Sequence, residues 1–99
     1  MLHIVNKSHQ QTGALASCLR LAKPGHSLLL CEDGVLAAAK AVAAASGVES
    51  ARATLKIYVL QPDVEARGLA GRLIEGVTPI GYDGFVDLVA EQSTNQSWI

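Results

Sequence analysis

Two thiols carry most of the reactive potential of this chain: Cys31, at the end of the apolar run in SLLLCEDG, and Cys18, inside ASCLRLA. A thiol attacks as its thiolate; a helix N-terminus or a nearby cation favours that form, while apolar surroundings and carboxylates oppose it. Cys31 is followed by Glu32 and Asp33, so the acids and the apolar run offset the helix that comes next. It reads as a small buried hydrophobe. Cys18 lies on the apolar side of a helical stretch, away from its start, with Arg20 and Lys23 supplying positive charge nearby. Packing is its first reading too. Glu32 and Asp33 read as a solvated acid and a helix cap rather than a catalytic pair. His3, His9 and His26 lack ligand spacing, so no metal site is expected, and no serine, histidine and acid arrangement stands out.

The elements that must position these groups alternate between strand and helix. Leu2 to Val5 is a short apolar strand, and Thr12 caps a helix with Leu15, Cys18, Leu19 and Ala22 on one face, stopped by Pro24 and Gly25. Ser27 to Cys31 is a continuous apolar run of strand length, as expected of a parallel strand covered on both faces. Asp33 is placed as the N-cap of an alanine-rich helix that runs to Ala45 and stops at Gly47. LKIYVL, residues 55–60, is the clearest strand, and Pro62 opens a short helix ending near Gly68. Val77 to Gly81 reads as a fourth strand, Asp83 to Gln92 as a helix with Phe85, Leu88 and Val89 on one face, and Gln96 to Trp98 as a final short strand. The pattern predicts a single α/β domain over residues 1–99: an open, mostly parallel sheet flanked by helices on both faces, flavodoxin-like and three-layered.

In such folds ligands gather at the carboxyl ends of strands. That rule selects Asn6 and Lys7, Cys31 to Asp33, Gln61 to Asp63, and Gly81 to Asp83. None is a phosphate cradle, because the glycines form neither GxGxxG nor GxxxxGK[ST] and the second strand ends in two carboxylates. No cofactor is expected.

Composition sets the remaining bounds. The 99 residues carry a net charge of −1, four aromatics and two cysteines, which suits one small domain in a reducing compartment. Direct nucleic-acid binding would call for a basic patch or an aromatic platform, and neither is present. The start MLHIVNKSH lacks the pattern of a signal peptide, and Lys40 interrupts the longest apolar stretch, so a cytoplasmic protein with no membrane association is expected. A core this small gains from burial against other subunits, so an oligomer is expected as well.

The strings MLHIVNKS, SCLRLAKPGHSLLLCEDGV, KIYVLQPDVEARGL and GYDGFVDLV, closing with QSW, resemble the TusB/DsrH family over essentially the whole chain. The resemblance implies a small subunit of a TusBCD- or DsrEFH-type sulfur-relay complex. The implied assembly is a dimer of heterotrimers, a heterohexamer, built with TusC/DsrF-like and TusD/DsrE-like subunits. In the TusBCD case persulfide sulfur passes through TusE towards 2-thiolation of the wobble uridine of transfer RNA. In the DsrEFH case a related complex exchanges sulfur with DsrC during sulfur oxidation. The principal sulfur-accepting cysteine is implied to lie on the TusD/DsrE-like partner, leaving this chain a structural role in a sulfurtransferase complex. Cys18 falls where DsrH-like members carry a cysteine on the first helix, which makes it the candidate catalytic thiol, a persulfide carrier, while Cys31 gains no role. The alanine-rich and last helices are candidate subunit interfaces.

Overall fold

The computed structural model describes residues 1–98 as five parallel strands with helices between them. The order along the chain is β1 (Leu2–Val5), α1 (Ala14–Leu21), β2 (Ser27–Leu30), a 3-10 segment (Glu32–Ala38), α2 (Ala43–Ser46), α3 (Val48–Ala51), β3 (Lys56–Leu60), α4 (Gln61–Ala66), β4 (Val77–Ile80), α5 (Tyr82–Glu91) and β5 (Asn95–Trp98). In space the strands lie β4-β3-β2-β1-β5. The first four strands are laid down stepwise outward from β1, and β5 then returns to its other side, so the order reverses at β1.

Period-two alternation sends each strand's side chains to two different cores. Val5, Leu28, Leu30, Ile57 and Val59 meet Leu15 and Cys18 of α1, Val35, Ala37 and Ala38 of the 3-10 segment, Val48 of α3 and Val64 of α4. Leu2 and Leu29 point the other way, onto Leu88 of α5, with Ile4, Tyr58, Ile80, Phe85 and Val89 partly buried around them. One face of the sheet is thus covered by almost all the helical material and the other by α5 alone. The central position of β2 explains why Ser27–Leu30 is buried at every residue. At one sheet edge, β4 carries Pro79, which has no N–H to offer a further strand.

The alanine-rich segment departs from the continuous helix its composition predicts. Glu32–Ala38 winds as a 3-10 helix with Cys31, not Asp33, in the N-cap position, and the chain then leaves the helical path altogether. Ala39 forms an antiparallel bridge with Leu73, Lys40 N–H donates to the Arg72 carbonyl, and Ile74 N–H donates to that of Ala38. Tertiary pairing with residues 72–74 overrides alanine's helix propensity. Helix resumes only as two short turns on either side of Gly47, whose φ of +91° supplies the left-handed stop the sequence suggested. Ala37, Ala38 and Ala43 are buried in the chain's own core, while Ala41, Ala44 and Ala45 are exposed, so only part of the alanine-rich segment is internal packing. Thr12 serves the start of α1 one residue early: its hydroxyl accepts from Ala14 N–H, and Gly13 holds the cap position.

Candidate functional site

At β1 the carboxyl ends of three strands meet. Ile4 and Asn6 from β1, Cys31 and Glu32 from β2, Ser97 from β5 and Phe85 from α5 line a cleft of about 340 Å³. This is where the strand order reverses, the place where an open parallel sheet leaves a crevice. Of the four strand ends selected from the sequence, the structure brings together Asn6 with Cys31 and Glu32. Lys7, Gly81 and Asp83 stay exposed outside the cleft, and Gln61 turns to Glu65 of its own helix, Nε2 donating to Oε1 at 3.3 Å.

The loop bearing Cys31 is held from several sides. Cys31 N–H donates to the Val5 carbonyl at 3.1 Å, continuing the β1–β2 ladder. Glu32 adopts φ +49°, a conformation non-glycine residues rarely adopt, and its N–H donates to Asp63 Oδ2 at 2.6 Å. Arg67 completes the frame, donating through Nε to Asp33 Oδ1 at 2.9 Å, with its Nη1 3.7 Å from Asp63 Oδ1. Gly34 is required beneath: a Cβ there would lie 2.2 Å from the Val5 carbonyl oxygen. Asp33 is therefore an ion-pair partner rather than the expected cap. Asp63, absent from the sequence-level pairing of acids, is the carboxylate that fixes the turn.

Cys31 is half-buried, not sealed in the core as its apolar flank suggested, and its thiol points towards the Val5 carbonyl at 3.9 Å. Burial pushes its pKa up to about 11, reinforced by the carboxylates of Glu32 and Asp63 and opposed by Arg67. At neutral pH it is a thiol, poorly suited to attack. Cys18 has no exposed surface and sits among the α1-side core residues, where burial raises it to about 11 as well. Arg20 and Lys23 do not offset that burial.

A second constellation lies at the opposite end of β1. His3, His26 and Trp98, distant in sequence, form one hydrogen-bonded row: Trp98 Nε1 donates to His3 Nδ1 at 3.1 Å, and His3 Nε2 lies 2.9 Å from His26 Nδ1. They line a groove of about 520 Å³ with Met1, Leu21, Lys23, Thr94 and Gln96. Sequence reasoning, looking for metal-ligand spacing, passed over this group. Among the described residues, no cluster of three or more His, Cys, Asp or Glu is arranged to hold a metal ion.

No helix among the described residues is long and apolar enough to cross a membrane. The fold is shared with the YchN protein of Escherichia coli, at a TM-score of 0.74 and 16% identity covering 98% of this chain and 97% of that one. Tm0979 of Thermotoga maritima has it too, at a TM-score of 0.59 and 23% identity over 95% and 97%. Sequence likeness is closer elsewhere. Protein TusB of Escherichia coli O1:K1 is 41% identical over 99 residues, 99% of this chain and 100% of the relative. Protein TusB of Serratia proteamaculans is 39% identical over the same span. A family model described as DsrH like protein matches residues 7–95. A match of that extent, with full-length identity to TusB proteins, makes this chain a member of the TusB/DsrH family.

Proposed function

We propose that the chain is a subunit of a cytoplasmic sulfur-relay complex of the TusBCD type, which passes persulfide sulfur towards 2-thiolation of the transfer-RNA wobble uridine. Its full-length likeness to TusB proteins carries this reading. Its part is structural, and the state of its thiols supports that: Cys18 is sealed, Cys31 is held protonated, and neither has the electropositive setting of a sulfur acceptor. The partners are TusC/DsrF-like and TusD/DsrE-like subunits in a dimer of heterotrimers, with a TusE-like acceptor downstream. Exposed apolar side chains on α5, Tyr82 at 62% and Val86 at 66%, supply a surface for them beside the thinly covered face of the sheet.

The DsrH-like family model favours one second reading, a DsrEFH-type complex in sulfur oxidation with Cys18 as a sulfur carrier. There the Cys18 thiolate would attack the outer sulfur of a persulfide, the S–S bond would break, and the donor would leave as a thiolate. That route needs α1 to lift from the sheet.

Reconstitution with both partner subunits, treatment with a persulfide donor, and intact mass with peptide mapping distinguish the two. The structural reading expects the sulfur adduct on a partner and none on this chain. An adduct on Cys18 that moves to a TusE- or DsrC-like acceptor, and is lost in Cys18→Ser, overturns it.

A further inference from the structure

The row of Trp98, His3 and His26 has only one arrangement of protons. An indole N–H only donates, so His3 Nδ1, 3.1 Å from Trp98 Nε1, carries no proton. The backbone N–H of Lys23 only donates, and it lies 3.2 Å from His26 Nδ1, so that nitrogen is bare too. His3 Nε2 must then hold the proton shared with His26 Nδ1 at 2.9 Å. Both rings are neutral, each with hydrogen on Nε2.

No further proton can enter without breaking the row. Protonating His3 places N–H against the Trp98 N–H. Protonating His26 sets its Nδ1–H against the Lys23 N–H and against His3. If His3 turns its proton inward to accommodate that, its Nδ1–H again faces Trp98. Among the described residues no carboxylate lines the groove to compensate, and the amino group of Met1 and the ammonium of Lys23 act on the pair with like charge.

The row matters because of what it fastens. β5 is an edge strand paired only with β1, and its Asn95, Gln96 and Ser97 are exposed. Trp98 is the β5 side chain that packs on the larger core. Its indole N–H would lose its protein partner if His3 ceased to accept.

We infer that Trp98, His3 and His26 form a proton-sensitive clasp that holds β5 to the sheet and releases it on acidification. The sign follows from the bare nitrogens. Both imidazoles resist protonation in the folded chain, so their values lie below the ordinary 6.5, chiefly through desolvation and then through the neighbouring positive charges. The unfolded or released chain binds more protons, and the clasp weakens as pH falls below about 6.5.

The test is an NMR titration of the full chain from about pH 8 to about pH 4.5, spanning the imidazole range. At the alkaline end, ring nitrogen shifts should show the Nε2–H tautomer on both His3 and His26. Below the ordinary imidazole value, protection factors of the β5 amides and the Trp98 indole N–H should fall by up to about tenfold per pH unit for each linked proton, with β5 opening ahead of the whole chain, so that β3 amides remain the better protected at every pH. In His3→Gln combined with His26→Gln the amide oxygen at position 3 can still accept from Trp98 and neither clasp position titrates, so β5 protection should no longer follow pH over this range. An Nδ1–H tautomer on either ring at pH 8 overturns the clasp, as does β5 protection that persists to pH 4.5 or that equals that of β3 throughout. Release that continues in the double variant overturns it too. Should the double variant not fold, the wild-type tautomers and protection profile decide alone.

Discussion

Arg67, at the C-cap of α4, and Asp33 at the start of the 3-10 segment meet in an ion pair, with both Nε and Nη2 of the arginine 2.9 Å from one carboxylate oxygen. This contact joins two carboxyl-end loops of the sheet and holds the Cys31 turn in place. Asp33 is nearly half exposed, so solvent screens much of the pairing. Arg67→Ala should cost about 1 kcal/mol in urea unfolding. Loss of the guanidinium also removes the cation that favours the Cys31 thiolate, so the pH at which Cys31 becomes alkylated should move up, read by mass spectrometry of the labelled peptide over a pH series.

The close approach of Gly34 to Val5 predicts a sharper effect. In Gly34→Ala the new methyl group would meet a backbone carbonyl rather than a flexible side chain, so the β1 end or the turn must move. The expected loss is about 3 kcal/mol or more, read as a drop in thermal midpoint. Gly13→Ala, where nothing lies within 4 Å but the residue holds the α1 cap position, is the matched control and should cost no more than about 1 kcal/mol.

Alkali should destabilise the chain through its thiols. With burial raising Cys18 to about 11 from an ordinary value of 9.0, the folded state keeps its proton where the unfolded state has lost it. Stability is fully present below pH 9 and declines as pH rises towards 11, by on the order of 2 kcal/mol for this one group. Cys18→Ala should flatten that decline in a stability–pH series. A slope unchanged in the variant would contradict it.

Helix α5 should tolerate charge on its outer side. Val86→Lys alters a residue 66% exposed and should change the stability of the isolated chain by no more than about 0.5 kcal/mol. Retention of the variant by the two partner subunits, followed by size exclusion, should be weakened. Undiminished assembly would move the partner surface elsewhere.

Much of the framework was legible because its signals are local. Leu2–Val5 and Ser27–Leu30 are mostly apolar runs of strand length, and Phe85, Leu88 and Val89 recur at helical spacing; all three segments form as expected. The alanine run misled because its residues are indifferent to context: strong helix formers without bulk give way when residues 72–74 offer backbone pairing. The cleft was legible as a set of strand ends, but not which ends would share it. That depends on β5 coming back beside β1, which brings Ser97 to the cleft along with Phe85 from the helix before it. His3, His26 and Trp98 were invisible as a group because separations of 23 and 95 residues carry no pattern. The one available hint was an indole in a polar strand, which needs an acceptor once it packs against a core.

The return of β5 to β1 also sets a timetable. Leu2 pairs with Asn95 and Val5 with Trp98, so the second strand made of this sheet's most separated pair emerges from the ribosome after every other element. Through most of its synthesis the nascent chain displays β1 with one side of its backbone unmatched, while β2, β3 and β4 can join in sequence on the other. Closing so long a loop is costly and slow, and an open apolar strand is a template for the wrong neighbour. β5, the last of the five strands to be made, thus acts as a seal that covers the open side of the apolar β1 and removes that invitation to aggregate.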